Sequence, residues 1–235
     1  PESIAVSPDG TRAYVTLQEV NAVAVIDLTD PAASQPLSIL PLGGVDHALA
    51  GNEFDPDDQP AGISIQSAPI TSILQPDSIT SFVVNGVTYF ITANEGDGRV
   101  GTGIEGTDVN RINNAAVVLD PIAFPNATAL KASLDLSRLN VQTKFGDTDG
   151  DGDLDKLYAF GGRSISIFKQ NADGTIVKVR ETGGEFEKIV ARDAPLGPLS
   201  GMAGARFEPL KLTWIGRPTT ETNVRVEVSW AGEWC

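Results

Sequence analysis

Ser3-Ile4-Ala5-Val6, then Pro8-Asp9-Gly10, then Ala13-Tyr14-Val15-Thr16-Leu17 and Ala22 to Asp27 form the stretch that decides the fold class. Apolar and β-branched residues alternate between turn formers, so each run reads as a short strand and the whole as a meander. The same grammar returns at Ile79 to Val84, Asn85-Gly86 and Val87 to Asn94. Asn-Gly between two apolar runs is a hairpin signal, because both residues tolerate positive φ. A third copy runs through Lys156 to Phe160, Ser164 to Lys169, Ala172-Asp173-Gly174 and Thr175 to Glu181. Three meanders separated by long polar connections predict an all-β protein: a β-propeller or partial propeller built of four-stranded meander blades with long loops.

Composition agrees. The 235 residues suffice for a sizeable core, and 24 Gly with 15 Pro spread along the chain call for many short elements. One short helix is expected, Leu130 to Leu139, with Leu130, Leu134 and Leu139 on one side. Gly43 to Pro76 is a long Gly-, Asp-, Pro- and Ser-rich connection of the kind that carries function. Asp193 to Gly204 reads as a linker, followed by two strands at Lys211 to Ile215 and Thr222 to Trp230. The division expected is a propeller segment over 1–190 and unassigned C-terminal strands over 191–235.

Asp and Glu outnumber Lys and Arg by 31 to 17, a net charge of −14. Such a surface repels nucleic acid and anionic membranes, so cations are the expected partners. No run approaches the roughly 20 apolar residues of a transmembrane segment. Pro1-Glu2-Ser3 has neither an initiator Met nor a signal peptide, so a processed chain or a fragment is expected. Cys235 is the single cysteine, which excludes a disulfide within the chain.

The sharpest chemical signal is Gly146-Asp147-Thr148-Asp149-Gly150-Asp151-Gly152-Asp153-Leu154-Asp155. Asp147, Asp149 and Asp151 alternate, Gly152 follows, and Asp155 stands ninth from Asp147. This is the D-x-D-x-D-G-x-x-D pattern of calcium loops, in which alternating carboxylates turn inward and the glycine permits the bend. Two carboxylates about 4 Å apart repel by on the order of 4 kcal/mol at an effective dielectric near 20, so the crowded aspartates call for a cation, and Ca2+ fits best. The twelfth position is Tyr158 rather than a bidentate Glu, and a strand follows instead of a helix. The loop therefore resembles those inserted between propeller strands, with Asp153 giving its backbone carbonyl. The bland alternative is a solvated acidic turn.

Taken in order, Pro1 to Gly10, Ala13 to Ala22, Gln75-Pro76-Asp77, Asn94-Glu95-Gly96-Asp97 and Gly146 to Asp151 resemble the choice-of-anchor I family over about residues 1 to 190. The resemblance implies a bacterial secreted or surface-anchored propeller, extracellular or periplasmic, related in description to atypical alkaline phosphatases and phytase-like esterase domains. Members are longer, which implies that these residues are the middle of a propeller. Open strand edges then call for self-association or a partner chain that completes the ring.

The resemblance also places the loop of His47, the only histidine, near a top face with Asp77, Glu95, Asp97 and Arg99. A metal-dependent phosphoester hydrolase would hold cations on Glu95 and Asp97 and pair phosphate oxygens with Arg99. The competing expectation is a non-catalytic surface or matrix scaffold for adhesion, in which Asn94 to Gly98 is a turn-rich loop. Asn126-Ala127-Thr128 fits a glycosylation acceptor. Ser200 lacks the flanking glycine of a nucleophile elbow, and Trp214, Trp230 and Trp234 are expected in packing.

Overall fold

The computed structural model describes residues 1–30, 32, 36–57, 63–99, 108–193, 210–214 and 226–230. The expected linker from 194 onward, Ser200, Trp234 and Cys235 lie outside them. The first meander is β1 (Ile4–Val6), β2 (Arg12–Leu17), β3 (Ala22–Asp27) and β4 (Pro36–Pro41), an antiparallel sheet in chain order. Its register sets Ile4, Val15, Ala24 and Ile39 in one row across the sheet. The opposite face carries Ala5, Tyr14 and Val25 into the core.

The remaining strands correct the three-meander reading. They are β5 (Gly44–Asp46), β6 (Ile70–Ile73), β7 (Pro76–Val84), β8 (Val87–Asn94), β9 (Val109–Arg111), β10 (Asn140–Gln142), β11 (Leu157–Phe160), β12 (Ser164–Gln170) and β13 (Ile176–Glu181). The hairpin β7–β8 turns at Asn85-Gly86, with φ of 51° and 76°. It does not form a blade of its own. β8 pairs antiparallel with β12, giving a four-stranded sheet in the order β13, β12, β8, β7. β11 leaves the run that follows it and pairs in parallel with β6, in a sheet ordered β5, β6, β11, β10, β9. The described residues thus form an all-β molecule of several sheets, and among them no ring of blades closes.

Left-handed residues explain the departure. Gln75 (φ 53°) carries the chain from β6 to β7, and Gly161 (φ 75°) with Arg163 (φ 46°) carries it from β11 to β12. Because β6 and β11 run side by side, the two crossings lie together. Gly161 donates its N–H to Gln75 Oε1 at 3.1 Å, and Gly162 donates to the Leu74 carbonyl at 3.1 Å.

The helices also differ from expectation. α1 is Ala127–Ala132 rather than Leu130 to Leu139, because the Ser133 hydroxyl accepts from the amides of Asp135 and Leu136 and ends the helix. Leu134 stays 86% exposed. α2, Glu185–Asp193, has no counterpart in the sequence reading and spans the expected boundary at 190. β14 (Leu210–Trp214) and β15 (Val226–Trp230) form a separate two-stranded antiparallel sheet.

Packing follows from these layers. Between the first sheet and the β7–β8–β12 sheet, Tyr14 stacks on Phe90 at 4.7 Å and Phe90 on Phe168 at 4.8 Å. Burying Phe90 completely contributes about 1.5–3 kcal/mol. The other face of β8 and β12 sets Ile91 and Ile165 against Phe186 of α2. β8 is therefore covered on both sides, which accounts for its nearly continuous buried run. A third cluster, with Phe54, Ile70, Ile112, Val141 and Leu157, fills the space under the long loops.

Candidate functional site

The acidic loop connects β10 to β11. Gly150 (φ 84°) and Gly152 (φ 100°) take conformations that side chains resist, and this lets the backbone curl around its own carboxylates. Asp147 accepts the amides of Gly150 at 2.7 Å and Gly152 at 3.0 Å, while Asp155 accepts the amide and hydroxyl of Thr148, both at 2.7 Å. Asp147, Asp149 and Asp151 each offer an oxygen, all within 4.8 Å of one another. Asp153 and Asp155 join a different residue, Asp120, in a second triad of the same span.

Asp120 was not foreseen, because it lies far upstream in a stretch without ligand spacing. It is brought in by a parallel bridge between Leu119 and Leu154, with the Asp120 amide donating to Leu154 O at 3.1 Å. Burial, followed by the charges of Asp151, Asp120, Asp155 and Asp149, pushes the Asp153 carboxyl upward. Its Oδ1 is buried and accepts no hydrogen bond. The Thr148 hydroxyl and amide hold the Asp155 carboxyl below its ordinary value. Hard oxygen donors without nitrogen or sulfur are the kind that Ca2+ takes: three carboxylates converge in each triad, the glycines allow the bend, and in the second triad the buried Asp153 Oδ1 accepts no hydrogen bond.

The other predicted residues occupy two surroundings. His47 is 2% exposed and stacks on Phe54 with ring centres 3.8 Å apart. Its Nδ1 lies 2.5 Å from the Asn52 carbonyl and its Nε2 2.8 Å from Ser72 Oγ. A carbonyl only accepts, so the proton sits on Nδ1 and Nε2 accepts from the serine. This has the form of a nucleophile–base pair, but Ser72 is 1% exposed and burial lowers the His47 pKa to about 4.

Glu95, Asp97 and Arg99 follow β8. Asp97 is exposed, and its carbonyl accepts from Gln75 Nε2 at 2.8 Å. The loop crosses the β11–β12 turn backbone to backbone: a Cβ on Gly161 would lie 1.6 Å from Glu95 O, and one on Gly96 2.1 Å from Gly161 N. Arg99 pairs with buried Asp108, Nε to Oδ2 at 2.9 Å, and the Arg99 amide donates to Asp108 Oδ1 at 2.9 Å. Asp55, Arg163 and Glu187 form a further buried charged group that the sequence did not signal, since its members come from three distant segments.

The sequence profile described as the choice-of-anchor I domain matches residues 1–196. No curated protein and no solved structure matches the chain.

Proposed function

The chain belongs to the choice-of-anchor I family, whose members are bacterial surface or secreted proteins, and from that premise we propose that it is a calcium-binding scaffold of the propeller kind. The observation that carries the reading is the convergence of Asp147, Asp149 and Asp151 within 4.8 Å. Calcium there ties the β10–β11 connection into a fixed shape between two neighbouring strands of one sheet. No helix among the described residues is long and apolar enough to cross a membrane. Calorimetric titration of the chelated chain with Ca2+ tests the proposal; an Asp151→Ala chain that binds as well as the parent refutes it.

Two placements favour a scaffold over a hydrolase. Both His47 nitrogens are engaged in a buried setting, and the Arg99 guanidinium is held by Asp108. The outer face of the first sheet supports association with a further sheet: Ile4 is 62%, Val6 51% and Ile39 55% exposed. Light scattering over a concentration series reads this directly, and a strictly monomeric species refutes it.

A second reading, metal-dependent phosphoester hydrolysis, rests on the exposed Asp97 beside Glu95 in a loop pinned by Gln75. Phosphomonoester hydrolysis with and without calcium, and after Asp97→Ala, decides it.

A further inference from the structure

Residues 51–57, the turn after β11 and the first turn of α2 meet in a buried group of charges that neither the acidic loop nor the Asp97 loop uses. Arg163 stands at its centre, with a left-handed backbone. Its guanidinium lies 5.2 Å from the centre of the Phe54 ring, and its two terminal nitrogens donate to the Asp55 carbonyl at 3.3 and 3.4 Å. Glu187 completes the group. Its Oε1 is 2.7 Å from Arg163 Nη1, with side chains only 11% and 9% exposed, and its Oε2 accepts the Asp55 amide at 2.5 Å.

Two features distinguish this group from an ordinary structural ion pair. The donors are held without α2: Phe54 and the Asp55 carbonyl fix the guanidinium, and the Asp55 carboxylate fixes its own loop by accepting the amides of Asp57 and Ser64, both at 3.2 Å. Glu187, moreover, is an imperfect occupant. Its Oε1 makes an ion-pair contact without a well-directed hydrogen bond. Burial outweighs Arg163 and raises its carboxyl, and the Asp55 charge adds to the rise.

We propose that Arg163 Nη1 and the Asp55 amide form an oxyanion-binding seat, which Glu187 fills in this structure and which a carboxylate or phosphate group of a ligand takes in its place. A desolvated guanidinium beside a backbone N–H is the donor set that such groups select. Arg163 is two residues along the chain from Gly161, whose backbone meets that of Glu95 and Gly96. α2 is also held by Lys188, with Glu53 at 2.5 Å and the Gly51 carbonyl at 3.1 Å, by Glu185 with Arg180, and by Phe186 in the core. They hold the helix when Glu187 is shortened, so Glu187→Ala empties the seat without removing its wall.

The test uses the full chain and two probes, sodium phosphate and sodium acetate, against sodium chloride at equal ionic strength. The parent chain shows only the non-saturable response that each salt exerts on any folded protein. Glu187→Ala gains a saturable rise in melting temperature with the oxyanions, about 3–6 °C at ten times the dissociation constant, and Glu187→Ala with Arg163→Met loses it. A larger effect of phosphate assigns the seat to a phosphoryl ligand, and equal or larger effects of acetate assign it to a carboxylate. A folded Glu187→Ala chain that responds to the oxyanions no more than the parent does overturns the proposal. Should that chain not fold unaided, recovery on refolding in acetate or phosphate but not chloride supports the seat, and failure to recover overturns it.

Discussion

Acidification from pH 7.5 to 5 should destabilise the protein through His47. Burial holds its folded pKa at about 4 against an ordinary 6.5, with the nearby Arg163 cation acting in the same direction and the Asn52 carbonyl opposing. A depressed histidine keeps its full contribution above the unfolded pKa and loses it as pH falls toward the folded one, because the unfolded chain then binds the extra proton. The gap of about 2.5 units corresponds to about 3.4 kcal/mol in total at 1.36 kcal/mol per unit, of which about 2 kcal/mol is lost by pH 5. Urea denaturation of the parent and of His47→Gln at pH 7.5, 6 and 5 isolates the effect: the parent's advantage should shrink by about 2 kcal/mol across the series. As the single histidine, its ring resonances are also unambiguous by NMR. A midpoint near 6.5 in the folded chain, or parallel pH profiles for the two proteins, refutes the buried placement and returns His47 to the candidates for surface chemistry.

Chelation should lower the melting temperature, since Ca2+ at 100 times its dissociation constant adds about 2.7 kcal/mol, and Asp151→Ala in calcium buffer should melt like the chelated parent. Gly161→Ala should cost about 2–4 kcal/mol by urea midpoint, because its φ of 75° and a Cβ 1.6 Å from Glu95 O force two chain crossings apart. Phe90→Ala, at the centre of the Tyr14–Phe90–Phe168 stack, should cost about 3–5 kcal/mol by the same measurement. Asp108→Asn should destabilise the chain without altering calcium stoichiometry, since Asp108 serves Arg99 and Gln142 rather than the acidic loop.

Local signals were legible where turn chemistry and period coincide. Asn85-Gly86 gave its hairpin, and the first three strands of the first meander fell within a residue of their reading, while its fourth, Pro36–Pro41, was not read. The aspartate spacing exposed the acidic loop because three alternating carboxylates lie within five residues. Long-range pairing left no such trace. β6 is four residues in a Pro- and Ser-rich connection, and nothing local in Ile70–Ile73 announces a parallel partner at Leu157–Phe160. Asp120 enters through a single backbone bridge, and α2 is only nine residues, shorter than the stretch over which a helical period is read. His47 looked accessible in a Gly- and Asp-rich loop. Phe54 and Ser72, which bury it, reach it only in three dimensions.

The parallel pairing of β6 with β11 sets the order in which the molecule can be completed. Everything from β7 through β10 lies between the two strands, so β6 has its second neighbour only after the acidic loop has passed the site of synthesis or export. Until then one flank of β6 is an open template, and closing so large an interval of chain makes this step intrinsically slow. A protein that acquires calcium outside the cell would meet it at that moment, with the Asp147–Asp155 loop directly preceding the strand that has yet to dock. On the proposed function, metal capture and the docking of β11 on β6 would then be one event in time as well as neighbours in the chain, with the pairing of β12 and β8 still to follow.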